Sequence, residues 1–529
     1  MIKPVDNIVI VGGGSAGWMT AAMLVKAYPN KNITLVESPN IPIVGVGEST
    51  LAHINDYVQF LGIDEKDFMS FTDASYKLSI KFTDFYEKDA GGFHYPFSTP
   101  VLEDTVDGVH DWFVKKSLYP DTPVQDFVQC YYSAAALFEN NKYSNNEHGK
   151  FNNYDPMFHS AYHFDATKFG AWLRDRYAIP RGVKHIQSEV KYVETGAKGV
   201  EHLLMIDNSK ITADLFIDCT GFKSLLLGHA LNEPFDSYAD MLPNNRAWAT
   251  RVPYKDKEAE LEPFTNCTAI GHGWVWNIPL WSRIGTGYVY SDKYITPEEA
   301  KEEFKQHLMS NKVICPKTRQ EVDALEYKDV PMRVGIHKRT WVKNVVAIGL
   351  SAGFIEPLES NGLFSVHEFL FKLVKSLQRP AVTQWDIDVY NASCLNIFRN
   401  FAEFVALHYA MSVRDDTEYW RDNGRRTYSP GMPNLEPQSF QGFYDLQHAK
   451  MFTNQVPTFA GITRISVGMN YPILDPITVR GYEIRDKVSH AEVFKNSFDN
   501  FEKKKMYWNT LADYEPTLFQ YLKTTIYKD

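Results

Sequence analysis

The sequence predicts an α/β fold with a mostly helical C-terminal module, on three observations. A short apolar strand runs straight into a glycine-rich turn and a helix at the N-terminus; further short apolar strands ending in turn residues recur up to Gly349; and beyond Pro380 apolar residues recur mainly at helical spacing. Asn7–Val11 (N-I-V-I-V) is the first strand, Gly12-Gly13-Gly14-Ser15-Ala16-Gly17 breaks it, Trp18–Ala27 suits a helix, and Ile33–Val36 is a second buried strand ending at Glu37. Between Tyr76 and Phe82 the chain alternates, with Lys77, Ser79 and Lys81 on the polar face of what reads as a half-buried strand. Leu215–Ile217 and Val345–Ile348 are two more apolar strands. From Leu363 to Leu377 the apolar positions follow a helical period, and Pro380 ends that helix. Residues 1–380 are therefore read as an α/β module, and 381–529 as a mostly helical module with loops near Pro430–Pro437 and Pro472–Pro476.

Composition narrows the function. A chain of 529 residues that is 44% hydrophobic and 23% charged is neither disordered nor fibrous. No apolar run approaches the roughly 18 residues that span a bilayer, and the start of the chain leaves no room for a signal peptide, so a cytoplasmic location away from membranes is expected. Five widely spaced cysteines with no C-x-x-C pair predict buried thiols, with neither a disulfide framework nor a metal site. A net charge of −10 offers no basic stripe, so nucleic acid is not an expected partner.

Gly12-x-Gly14-x-x-Gly17 follows a strand, opens a helix and has Glu37 about 20 residues on, which is the full Rossmann-like context for a dinucleotide. The first glycine makes the turn, the second admits a pyrophosphate, the third lets helix pack on strand, and Glu37 accepts from ribose hydroxyls. These residues do not choose between FAD and NAD. Only one such fingerprint occurs, so if the ligand is FAD the reducing equivalents arrive from outside, as reduced flavin from a separate reductase.

Gly273–Pro279 carries W-x-W-x-I-P and resembles the signature of the flavin-dependent halogenases, best known from the tryptophan halogenases. Gly12–Trp18, Gly45–Thr50, Ser75–Phe82, His163–Ala166, Asp214–Phe222, Gly285–Ser291 and Phe354–Gly362 resemble the family's segments in the same order, over residues 1 to about 380. The resemblance implies an FAD-binding, flavin monooxygenase-type fold, with residues 1–380 as an FAD-binding halogenase module carrying interleaved substrate-side insertions, and an enzyme in which reduced FAD, oxygen and halide yield hypohalous acid. That acid passes through a tunnel to a small aromatic substrate, indole-like or phenolic, for electrophilic substitution.

The same resemblance assigns residues. Lys77 matches the catalytic lysine and Glu359 the second catalytic residue, with Ser360 relaying their contact; Asn361 and Gly362 align with the halide site; and Trp274 and Trp276 line the tunnel and keep organic substrate from the flavin. Cofactor contacts extend from Gly12, Gly14, Ser15, Ala16, Gly17 and Glu37 to Ser49, Val190, Leu350 and Leu363. Each has a plainer reading: a solvated lysine, a carboxylate or a cap at a helix N-terminus, two core tryptophans. Three departures concern specificity. Tyr95, followed by Phe97, stands where tryptophan halogenases place a His; Asn361 stands where they usually have Thr; and no clear counterpart of their aromatic clamp occurs around Gln438–Phe459. Asn361 points to bromide or iodide being used at least as well as chloride. A hydroxylating flavin monooxygenase and a non-catalytic flavin-binding protein are the competing readings; the W-x-W-x-I-P segment argues against the first and the presence of both Lys77 and Glu359 against the second. A homodimer is left open.

Overall fold

Ile8–Val11 are all apolar and all buried, as a strand covered on both faces must be, and they lie inside a six-stranded sheet. The structure is a computed structural model and describes residues 4–40, 48–102, 112, 115–116, 119–425, 459–470 and 490–528. Strand order in this sheet is Trp341–Val342, Val345–Ala347, Leu215–Asp218, Asn7–Val11, Asn32–Glu37 and Lys184–Gln187. All neighbours run parallel except the outermost pair, Trp341–Val342 with Val345–Ala347. Runs read separately in the sequence thus become neighbours, with Ile10 opposite Ile217 and Ile217 opposite Val346. The first helix, Ser15–Ala27, starts three residues before Trp18, inside the glycine-rich turn.

A second sheet of seven strands carries the other motifs, in the order Lys328–Pro331, Arg246–Val252, Ile284–Tyr290, Gly273–Pro279, Phe264–Ile270, Ser79–Thr83 and Gly92–Pro96. Here one expectation is corrected. Tyr76–Phe82 is not a single half-buried strand: it breaks at Leu78 into Ser75–Lys77, paired with Ala161–Phe164, and Ser79–Thr83, paired with Phe264–Ile270 and Gly92–Pro96. Lys77 and Ser79 are fully buried, and only Lys81 reaches water. Alternation locates polar side chains on one face; whether water or protein receives them is decided by what else folds over that face.

The long buried helix Gly362–Leu377 is followed by Gln384–Ala410, and the described tail is helical over Phe459–Gly468, His490–Asp513 and Leu518–Thr525. Its apolar residues Leu518, Leu522 and Ile526 join the same core as Ile8 and Leu373. Tyr527 stacks on Trp281 at 4.3 Å between centroids, and its hydroxyl donates to the carbonyls of Met69 and Ala74, so the end of the chain closes over the segment leading into Lys77. The predicted loops near Pro430 and Pro472, and the Gln438–Thr458 part of the clamp region, lie outside the described residues. Among the described residues no helix is long and apolar enough to cross a membrane. All five cysteines are unpaired thiols, four of them buried.

Candidate active site

The glycine-rich turn has one open position and three closed ones. Gly12 has φ +112°, and a Cβ there would lie 2.3 Å from the Cys219 carbonyl oxygen; a Cβ on Gly17 would lie 1.9 Å from the Gly12 oxygen, and one on Gly13 would meet the Glu37 carboxylate. A Cβ on Gly14 would meet nothing within 4 Å. Gly12 and Gly17 are thus glycines because backbone packs on them, while Gly14 faces free space at the start of a helix with no side-chain cap, which suits a pyrophosphate. Ser15 and Ala16 are the first helical residues, and the Ser15 hydroxyl donates to the Ala166 carbonyl. Glu37 ends its strand with Oε1 2.7 Å from His185 Nε2. Val190 lies two residues after Ser188, whose N–H donates to the Glu37 carbonyl. Leu350 sits in the turn Gly349–Ser351, which closes on the first helix so tightly that a Cβ on Gly349 would be 2.9 Å from that of Ala16. The residues read as cofactor contacts therefore gather on the C-terminal ends of the six-stranded sheet, except Ser49 and Leu363.

Lys77 is completely buried. Its Nζ donates to the Thr50 carbonyl at 2.9 Å and to Ser360 Oγ at 2.7 Å, and it lies 5.0 Å from the centroid of the Phe97 ring. Burial pushes the ammonium down to about 7, against an opposing pull from Cys267 and Glu359. A lysine poised this way has both protonation states in reach near neutrality.

Two carboxylates precede the buried helix, and their surroundings separate them. Glu356 accepts from Asn244 Nδ2 at 2.8 Å and from the Tyr409 hydroxyl, and burial pushes it up to about 7. Both its oxygens are occupied. Glu359 closes the single 3-10 turn Pro357–Glu359; its Oε1 lies 2.9 Å from His408 Nε2 at ion-pair distance, yet neither atom is aligned for a hydrogen bond. Of the two carboxylates, Glu359 is the one whose charge reaches Lys77. Ser360 then adopts a left-handed conformation, φ 57°, that carries its hydroxyl to Lys77.

Asn361 precedes the helix Gly362–Leu377 without capping it, and its Oδ1 is buried with no partner; Ser360 does not cap it either. A narrow cleft of about 20 Å³ lies against Leu350, Phe354, Asn361, Gly362 and Phe364, room for one water-sized particle. It joins the Leu350 turn of one sheet to the helix start read as the halide site, with Leu363 in its first turn.

Trp274 and Trp276 project from Gly273–Pro279 with centroids 6.1 Å apart, and both Nε1 donors are buried without a partner. Phe97 stands beside Lys77, and the Tyr95 ring lies 6.4 Å from that of Phe97. Sequence reasoning missed what covers them: Phe404 lies 6.2 Å from Tyr95, and Arg464, 7% exposed, places its guanidinium 5.1 Å from the Tyr95 centroid. His408 was missed as well, since helical spacing alone does not say which helix faces Glu359. Ser49, read as a cofactor contact, has its hydroxyl engaged by Ser360 Oγ at 3.0 Å and Thr265 Oγ1 at 2.6 Å.

A mostly parallel sheet with an open glycine cradle suits a dinucleotide cofactor, and outside that cradle the structure buries a lysine, Lys77, within electrostatic reach of a carboxylate, Glu359. The chain belongs to the tryptophan halogenase family, whose model matches residues 7–462. Tryptophan 6-halogenase SttH of Streptomyces toxytricini is 37% identical over 452 residues, 80% of this chain and 81% of that protein. Among solved structures, VirX1 in its apo form superposes with a TM-score of 0.88 at 36% identity over 99% of both chains. BrvH, a flavin-dependent halogenase from Brevundimonas sp. BAL3, gives 0.81 at 29% identity over 98% of this chain and 99% of that one. The likeness thus continues well past Pro380, where the sequence motifs become faint. The protein is a flavin-dependent enzyme of the halogenase class, with FAD supplied in reduced form by a separate reductase.

Proposed function

We propose that the protein halogenates a small, freely diffusing, indole-like aromatic in the cytoplasm, with Lys77 and Glu359 as its catalytic residues. The observation that carries this is the buried Lys77 ammonium held by Ser360 next to a carboxylate with no hydrogen bond on its Oε1. The indole preference is supported by relatives named as tryptophan halogenases. In this reading residues 1–380 hold the cofactor, and 381–529 cover the substrate side.

FAD fits the open Gly14 position and the uncapped helix start, where Gly12, Gly14, Ser15, Ala16, Gly17 and Glu37 would hold it, with Val190, Leu350 and Leu363 further along. Bound in reduced form, it supplies, with oxygen and halide, hypohalous acid. Asn361 and the first N–H groups of the following helix hold the halide, whose charge the helix N-terminus favours. The unpartnered indole N–H groups of Trp274 and Trp276 offer donors along the passage, and their bulk keeps organic substrate on the far side. At Lys77 the ammonium donates to the oxygen of the acid, so that the halogen becomes electrophilic and the oxygen departs as water. Glu359 faces the positive charge that develops on the ring and takes the ring proton. Tyr95 and Phe97 supply aromatic walls for the substrate.

The test is incubation with a flavin reductase, NADH, FAD and oxygen, with chloride, bromide and iodide in separate reactions, against a panel of indoles and phenols, read by mass spectrometry. Halogenated indole supports the reading; hydroxylated product with no halogen overturns it.

A further inference from the structure

We infer that Thr265 and His163 are positioning residues for Lys77, acting through a one-way chain of buried hydroxyl groups. The inference rests on the role proposed above for Lys77. The chain runs from Lys77 Nζ to Ser360 Oγ (2.7 Å), Ser49 Oγ (3.0 Å), Thr265 Oγ1 (2.6 Å) and His163 Nε2 (2.9 Å), then from His163 Nδ1 to Ser75 Oγ (3.2 Å) and the Pro279 carbonyl (2.5 Å). Every side chain in it is buried.

Its direction follows from counting protons. The Pro279 carbonyl only accepts, so Ser75 donates to it, and a hydroxyl has one proton. Ser75 must therefore accept from His163 Nδ1–H. Burial holds His163 neutral, and a neutral imidazole has one N–H, so Nε2 accepts from Thr265. Thr265 then accepts from Ser49, Ser49 from Ser360, and Ser360 from Lys77. No hydroxyl has a proton left to point the other way.

The consequence falls on Lys77. Ser360 presents a lone pair to it, which favours the ammonium and uses one of its three protons; the Thr50 carbonyl uses the second, and the third is left for the reacting oxygen. Titratable groups facing Lys77 are Glu359 on its turn, Cys267 on Phe264–Ile270 and His163 on Ala161–Phe164, and none of these donates directly to Nζ. The hydroxyl chain is thus the device that sets which protonation state of Lys77 is held in place.

Thr265→Val keeps the shape and removes the relay. The Ser49 proton, left without its acceptor, turns to Ser360, whose own proton turns to Lys77 and favours the neutral amine. The high-pH limb of kcat is expected to move down by about one pH unit, with KM little changed, while Thr265→Ser restores the wild-type limb. Thr265→Ala carries the same expectation if the valine variant does not fold, folding being read by thermal unfolding and FAD titration. A limb that stays in place in the Val or Ala variant, or that moves equally in Thr265→Ser, overturns the inference when Lys77→Met is inactive. Halogenation by Lys77→Met instead shows that the role given to Lys77 is wrong, and the inference falls with it.

Discussion

Lys77 donates to the hydroxyl of Ser360 over 2.7 Å, a contact between residues 283 positions apart. It needs two local irregularities. The break at Leu78 turns Lys77 out of the seven-stranded sheet, and the left-handed backbone of Ser360, a conformation costing a non-glycine residue about 1–3 kcal/mol, swings the hydroxyl across. The strain sits where the chemistry is proposed.

Lys77→Met is expected to lower halogenation by about 10³-fold or more while leaving FAD binding unchanged, because the glycine cradle belongs to the other sheet. Product formation near the wild-type rate sinks the assignment.

The same lysine makes stability depend on pH. Its folded value is about 7 and its ordinary value 10.5, so between them the native state binds fewer protons than the unfolded chain, and stability rises with pH. The cost of burying Lys77 is then largest at and below about pH 7 and fades towards 10.5. Any advantage of Lys77→Met over wild type should shrink with rising pH, by at most about 1.4 kcal/mol per unit. Urea titrations of both proteins on either side of the window measure it; a pH-independent difference contradicts the burial of a titrating lysine.

Glu356 and Glu359 should separate cleanly. Glu359→Gln is expected to cut turnover by about 10²-fold, with hypohalous acid still captured by a reactive phenol in the buffer and the melting temperature little altered. Glu356→Ala strands the buried donors of Asn244 and Tyr409, costing about 2 kcal/mol in thermal unfolding. Loss of trapped acid in Glu359→Gln places that residue at the flavin instead.

Bromide or iodide should be used at least as well as chloride. Asn361 puts a buried carboxamide where the resembling family usually has a Thr hydroxyl, and larger, less strongly hydrated halides lose less on leaving water for a site with few enforced donors. Asn361→Thr should shift use towards chloride in competition at equal halide concentrations. Dominant chlorination by the unmodified protein overturns this.

Gly287→Ala tests the tryptophan barrier. A Cβ there would lie 2.2 Å from the Trp276 ring and 2.5 Å from the Trp248 carbonyl oxygen. The ring must move, at about 1–3 kcal/mol, and the halogenated product formed per NADH consumed should drop. Unchanged coupling with a displaced Trp276, seen by fluorescence, removes the barrier role.

Local pattern by itself determined the βαβ opening, the buried helix after Asn361 and the four parallel-sheet strands, because apolar periodicity and glycine stereochemistry act over a few residues. Ordered motifs such as W-x-W-x-I-P also determined the family. Tertiary structure alone decided that Lys77 is dry, since the polar face of its strand is covered by residues from Thr50, His163, Cys267 and Ser360 that no periodicity links to it. It alone distinguished Glu356, with both oxygens satisfied, from Glu359 three residues on. It alone brought His408 to Glu359, and Phe404 and Arg464 to Tyr95, because which face of a helix meets which sheet depends on packing between distant elements. Desolvation is the common reason: it is a property of the assembled surroundings, and it turns an ordinary lysine into one that titrates near neutrality.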